Sequence, residues 1–195
     1  MSRARSRAAS ARVSRAASAR PPRVVTVEAR AKLNLGLAIG PRRADGFHDL
    51  VTVFQSVTLA DTLVAERARR FTLRVRHEDA ALRGRLADRT RRMVPAGAGN
   101  LVLRAARLVA RELALRGGAR FTLVKRIPVQ AGMGGGSVDA AAAIAAMLAL
   151  YGRRLSRAEK LRCALQLGSD VPFAITGGTA LGTGRGEIIS KLQLA

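Results

Sequence analysis

The stretch "IPVQAGMGGGSVDAAAAIAAML", residues 127–148, constrains this chain more than any other. It places glycine at 132, 134, 135 and 136, directly ahead of a run of alanines. Glycine weakens regular structure unless the backbone must turn, or be approached, in a way that a Cβ forbids. The preceding "FTLVKRIP" (121–128) reads as a strand, and the alanine run reads as a helix beginning near Ser137. A glycine-rich link from strand to helix lets successive amides turn inward, and the helix adds the positive end of its dipole. Together these make an anion site of the kind that takes nucleotide phosphates. The motif is not the common P-loop, which ends in Gly-Lys-Ser/Thr, because the order here is Gly136, Ser137, Val138. It also lacks the spacing of a dinucleotide-binding fingerprint. Tight packing of helix on strand is the alternative use of such glycines, and it seldom calls for four.

The net charge of +22 comes almost wholly from arginine, since Lys32, Lys125, Lys160 and Lys191 are the only lysines. A basic surface favours phosphate-bearing ligands in general. Alanine, arginine, glycine and valine dominate throughout, however, so the charge reflects composition as much as a polyanionic partner. Cys163 stands alone among Leu161, Ala164 and Leu165, which excludes an intramolecular disulfide and suggests a buried, inert thiol. Two histidines, His48 and His77, are too few to argue for zinc. No apolar run reaches the length of a membrane span, and the alanine run is interrupted by Asp139. The expected location is cytoplasmic.

Residues 1–22 form a basic tail in which "SRAASAR" occurs at 6–12 and again at 14–20. Such a segment cannot bury enough apolar surface to offset its ordering entropy and is expected to be disordered. Its arginine- and serine-rich, acid-poor character suits either an organelle transit peptide or an unstructured bacterial extension. The folded domain, 23–195, opens with an alternating strand over 23–40, then a loop with a turn at Asp45-Gly46. Strands follow at 51–63 and 71–76. Residues 78–99 are charged and irregular, and Asn100 then caps a helix that Gly117-Gly118 stops. A capping box, Ser156 to Glu159, opens a helix ending at Gly168, and 177–189 reads as a strand or hairpin. Strands first, then strands interleaved with helices, give a mixed α+β fold.

Four ordered stretches carry a family resemblance. "IPVQAGMGGGSVDAAAA" resembles the ATP loop of the GHMP kinases. "AKLNLGLAIGPRRADGFHDLVTVFQSVTLADTL", "GNLVLRAARLV" and "LGSDVPFAITGGTALGTGRGE" resemble that family's first substrate segment, nucleotide-side helix and second catalytic segment. "AKLNLGL" and "DGFHDL" track the members that act on a CDP-linked substrate. The resemblance implies an N-terminal GHMP-kinase domain, related to the second domain of ribosomal protein S5. It also implies ATP-dependent phosphorylation, with Mg2+, of the tertiary 2-hydroxyl of CDP-linked methylerythritol, a small-molecule substrate in non-mevalonate isoprenoid biosynthesis.

A hydroxyl is a poor nucleophile and the transferred group is strongly anionic, so such a site needs a proton acceptor, a cation and a cradle. By resemblance, Asp170 in "GSDVPF" is the base or orienting carboxylate, and Lys32 in "AKLNL" is its cationic partner. The phosphate cradle is Pro128, Val129, Gln130, Ala131, Gly132, Met133, Gly134, Gly135, Gly136, Ser137 and Val138, with the Ser137 hydroxyl offered to phosphate or magnesium. Asn100, Leu101 and Lys125 fall on the adenine side. Asn34, Phe47 and His48 hold the substrate, with His48 near the cytosine.

Two departures are mild: Val138 stands where many members have serine or alanine, and Phe47 replaces the usual tyrosine. The third is larger. The family continues into a second domain that closes over the substrate, whereas "GEIISKLQLA" no longer resembles it. The expectation is therefore that most of the C-terminal domain is absent. Two other readings stand beside this one. Another GHMP small-molecule kinase is the first, and "DGFHDL" and "AKLNLGL" argue against it because they track the CDP-linked substrate. A basic RNA-binding protein on an S5-like fold fits the charge, but aromatics are only 3% of residues, too few for stacking platforms. Nucleic acid is expected at most as a non-specific partner of the tail. Because phosphoryl transfer depends on positioning in a water-poor site, residues 1–195 alone are predicted to turn over weakly or not at all. A coupled ADP-release assay with the CDP-linked substrate checks this, and normal turnover would overturn it.

Overall fold

The computed structural model describes residues 21–44, 46–78 and 93–193. The tail at 1–20, Asp45 of the expected turn and most of the irregular 78–99 stretch lie outside the described residues. In chain order the elements are β1 (Val24–Arg42), β2 (His48–Ala68), β3 (Thr72–His77), α1 (Leu101–Glu112), β4 (Gly118–Lys125), α2 (Gly135–Tyr151), α3 (Arg157–Leu165), α4 (Val171–Thr176), β5 (Thr179–Thr183) and β6 (Ile188–Lys191). The arrangement is the mixed α+β domain that the pattern predicts.

β1 and β2 form a long antiparallel hairpin, and β2 is the hub of the sheet. Its second edge pairs with β4 over Thr62–Ala68 and with β5 over Thr52–Gln55. β3 adds parallel to β4, and β6 adds antiparallel to β5. The first half of β1 has a clean period of two: Val25, Val27, Ala29 and Ala31 are buried, while Val24, Thr26 and Glu28 are exposed. The alternation then breaks. Arg30 faces Ala60 but Lys32 faces Ser56, and across this irregularity Ala31 and Lys32 are both buried. Such ladder defects re-aim a side chain, and here the side chain is a lysine.

The core lies between one face of the sheet and the helices. α2 sits at its centre, with Val138, Ala140, Ala142, Ala143, Ile144, Ala146, Met147 and Leu150 all buried. A helix apolar all round must be enclosed on every side, and alanine lets α1, β1 and β2 approach it closely. Cys163 is buried, and burial pushes its thiol pKa up, as suits an inert structural residue. A smaller cluster of Phe54, Phe173 and Ala180 joins β2, α4 and β5. The Phe54 and Phe173 rings stack with centroids 4.7 Å apart. Among the described residues no helix is long and apolar enough to cross a membrane.

Several boundaries differ from the sequence reading, among them β2, which runs over His48–Ala68 rather than 51–63. The pattern assigns no element to residues 171–176, which form α4, although Pro172 in its first turn is an ordinary helix-start signal. α1 ends at Glu112 rather than at Gly117-Gly118. There Ala114 takes a left-handed φ of 47°, Ala114 N donates to Arg111 O, and Leu115 N donates to Ala110 O. This is a Schellman closure, with Leu115 packed on the core. Tertiary packing of Leu115 ends the helix before the glycines can. Ala114 is exposed and in a conformation that suits glycine. Ala114→Gly is predicted to stabilise the fold by about 1 kcal/mol, measured as a raised urea midpoint with an unchanged m-value.

Candidate active site

The glycine loop joins β4 to α2 and leaves that helix uncapped. Gly134, at the N-cap, has φ 68° and supplies no side-chain bond to the first turn. α1 and α3, by contrast, are capped: Asn100 Oδ1 accepts from Val102 N on α1, and Ser156 and Glu159 make a reciprocal box on α3. The first amides of any helix lack intrahelical partners. Those of α2 instead face a cleft of about 350 Å³, lined by residues 128–137, Asn100, Leu101, Lys125 and Asp139. Lysines press on the loop at two points. A Cβ on Gly134 would stand 3.0 Å from Lys32 Cγ, and one on Gly135 would stand 3.1 Å from Lys125 Nζ. Lys32 N also donates to Met133 O at 3.0 Å, which ties the loop to β1.

On the β1 side, Lys32 Nζ lies 3.4 Å from Asp170 Oδ2 and donates to Asn34 Oδ1 at 2.6 Å. Asn34 Nδ2 donates to Thr52 Oγ1 at 2.7 Å, and Thr52 donates on to Gly36 O at 2.7 Å. This chain of bonds across the hairpin fixes where the ammonium sits. Lys32 Nζ is also 5.3 Å from the centroid of the Phe54 ring. That ring stacks on Phe173, three residues beyond Asp170, so one aromatic pair locates both members of the ion pair. Asp170 occupies the N-cap position of α4, yet its side chain makes no cap bond. Its carboxylate remains available to Lys32 and to a ligand.

Lys125 lies on the other side of the loop, in a buried charge cluster that the sequence reading did not anticipate. Its ammonium donates to Asp61 Oδ2 and to Asp139 Oδ2, the latter at 2.8 Å. Asp61 Oδ1 accepts from Arg126 N at 2.5 Å and Ile127 N at 2.9 Å, the residues that lead into the loop. Burial works against the Lys125 ammonium, but the two carboxylates outweigh it and raise its pKa. For Asp139, burial pushes the carboxyl up to about 8; Lys125 opposes that shift and the charge of Asp61 adds to it. One signal was present in the sequence. Asp139 is the lone charge within an otherwise apolar helix, and a buried charge needs a partner.

The structure brings Lys32, Asn34, Asp170 and the loop together. Ser137 and the loop residues from Pro128 onward line the cleft. Val138, placed in the cradle by the sequence reading, is instead in the core, with its amide donating to Gly134 O. The period of α2 turns that position inward. Asn100 and Leu101 line the cleft, but the Asn100 side chain is occupied by the α1 cap and by Pro95 O at 2.7 Å. Lys125 lines the cleft with its ammonium held by Asp61 and Asp139. Phe47 and His48 sit at the turn of the hairpin, outside the cleft, where Arg185 lies 4.5 Å from the Phe47 centroid and His48 Nδ1 is 3.0 Å from Gly40 O. Gly134→Ala is predicted to destabilise the fold by about 1–3 kcal/mol through its left-handed φ, and to weaken tripolyphosphate binding in calorimetry by displacing Lys32. Gly132→Ala, also left-handed but with open space around it, should show the backbone cost alone.

Residues 100–178 match the GHMP kinases N terminal domain. A 4-diphosphocytidyl-2-C-methyl-D-erythritol kinase of Rhodococcus jostii (strain RHA1) is 46% identical over 166 residues, covering 85% of this chain and 50% of the relative. The enzyme of the same name from Salinispora tropica is 47% identical over 168 residues, covering 86% and 50%. A crystal structure of 4-(cytidine 5'-diphospho)-2C-methyl-D-erythritol kinase superposes with a TM-score of 0.67 at 38% identity, covering 87% of this chain and 56% of that one. The chain spans about half the length of the curated relatives it matches. Residues 100–178 are thus similar in sequence to the N-terminal domain of the GHMP kinases, and the fold of the chain is similar to about half of that solved kinase.

Proposed function

We propose that this chain serves the ATP-dependent phosphorylation of the 2-hydroxyl of 4-CDP-2-C-methyl-D-erythritol. The observation that carries the reading is the Lys32–Asp170 pair, set beside an uncapped helix N-terminus whose glycines at 134–136 leave little room for a Cβ. The names of its relatives supply the substrate.

The donor set fits a triphosphate: open amides on α2, the α2 dipole, and a lysine at the loop's edge. Among the described residues no group of three or more His, Cys, Asp and Glu suits a metal ion. Mg2+ would be held by the nucleotide's phosphates, with the Ser137 hydroxyl beside it. ATP supplies the phosphoryl group and Mg2+ neutralises charge on it. In this reading Asp170 receives the proton of the attacking hydroxyl and orients that oxygen. Lys32 holds Asp170 in place and offsets negative charge as the phosphoryl group is transferred. Asn34 acts through Lys32 as well as toward the substrate, because its amide bridges Lys32 to Thr52. Phe47 and His48 at the hairpin turn are offered to the cytosine.

ADP release measured with the CDP-linked substrate tests this. Asp170→Asn is expected to lower kcat by about 10²–10⁴-fold, and Lys32→Met by about 10²–10³-fold. Glu66→Gln, in an exposed pair with Arg120 on the far part of β2, should be silent. An Asp170→Asn variant as fast as the parent, or equal stimulation by homoserine or mevalonate, would remove the assignment.

A further inference from the structure

Between β5 and β6 the chain makes a tight turn, closed by Gly186 N donating to Thr183 O at 3.1 Å. Gly184 and Gly186 have φ of 70° and 95°, left-handed values that suit glycine and flank Arg185 on either side. Three contacts seat this turn against the β1–β2 hairpin. Leu50 N donates to Gly184 O at 2.7 Å. Gly186 lies beside two hairpin side chains, where a Cβ would stand 3.6 Å from Phe54 Cζ and 3.7 Å from Leu50 Cδ1. The Arg185 guanidinium lies over the Phe47 ring, 4.5 Å from its centroid. Glu187 steadies the turn from within: its carboxylate accepts from Arg185 N at 2.5 Å and lies 3.9 Å from Arg185 Nε. Phe54 is also the ring that sits 5.3 Å from Lys32 Nζ. One short turn therefore touches the support of Lys32 and the ring at the hairpin's end.

We propose that Arg185 is a positioning residue for the nucleoside end of the substrate, holding the Phe47 ring in a fixed place relative to the Lys32–Asp170 pair. This role rests on reading Phe47 and His48 as the base side of the site. Phe47 is 53% exposed, so burial alone does not select its orientation. A guanidinium over the ring face does, because the attraction of a cation to a π-system is directional. Arginine suits the task better than lysine, since its flat guanidinium stacks on a ring while the Glu187 carboxylate stays near its stem. The gain is preorganisation: a ring already held in place loses less freedom when a base stacks on it. Arg185 acts through Phe47 and not by touching the base or the phosphates.

Titration of the 195-residue chain with CDP, followed by amide NMR shifts, reads this even where binding is weak. Arg185→Met should weaken CDP binding by about two- to fivefold and leave tripolyphosphate binding at the glycine loop unchanged. In a Phe47→Leu background, where no ring is left to hold, Arg185→Met should have no further effect, a coupling that the double-mutant cycle isolates. Equal weakening in both backgrounds would overturn the proposal, because Arg185 would then act on the ligand directly. Weakening of CDP and tripolyphosphate together would overturn it as well, since that marks a change in the fold. So would undiminished CDP binding by Arg185→Met. A parent that takes tripolyphosphate but not CDP would remove the base side of the proposed function, and the role of Arg185 with it. If circular dichroism shows that Arg185→Met does not fold, Arg185→Lys takes its place, keeping the charge and losing the flat stack, with the same coupling to Phe47 expected.

Discussion

The cleft depends on one buried helix. Seven of the 17 residues of α2 are alanine, so α1, β1 and β2 can close on it from several sides. That enclosure brings its N-terminus against two strands that arrive from different parts of the sheet. Larger side chains would hold β1 away, and Lys32 could neither bond the loop through Met133 O nor lie against Gly134. The glycines and the alanines thus act together: the alanines set the distance and the glycines leave room for what arrives.

Two charge systems flank the loop, and burial separates their roles. Lys32 and Asp170 form a single pair with the carboxylate partly exposed, open to ligand and held by neutral neighbours such as Asn34 and the Phe54–Phe173 stack. Lys125, Asp61 and Asp139 are almost wholly enclosed and bind the two ends of the loop to β2. Removing one partner from an enclosed cluster leaves an uncompensated charge. The partly exposed pair can exchange partners with a substrate at lower cost. Chemistry suits the first system, and support of the backbone suits the second.

Much of the fold was legible in residue order. The period-two run of β1, the Asn100 cap and the Ser156–Glu159 box appear where the pattern places them, because each is a signal read within a few residues. The end of α1 was not legible: Ala114 adopts a left-handed turn because Leu115 packs on the core, a contact with no local signature. Val138 was misplaced for a similar reason. The loop motif runs through it, but the helical period turns it away from the cleft.

Residue order therefore settled the chemistry on offer: a glycine-lined helix start, one lysine in an arginine-rich stretch, and an aspartate before Val-Pro-Phe. Tertiary structure alone decided who meets whom. The irregularity between Arg30 and Lys32 buries a side chain that strict alternation would expose, and the Phe54–Phe173 stack brings Asp170 to it. Asp61 and Asp139, ordinary in the sequence, become partners of Lys125 only because the sheet and α2 enclose all three. Local signals report what a segment can do, whereas the distances between side chains far apart in the chain exist only once the core has packed.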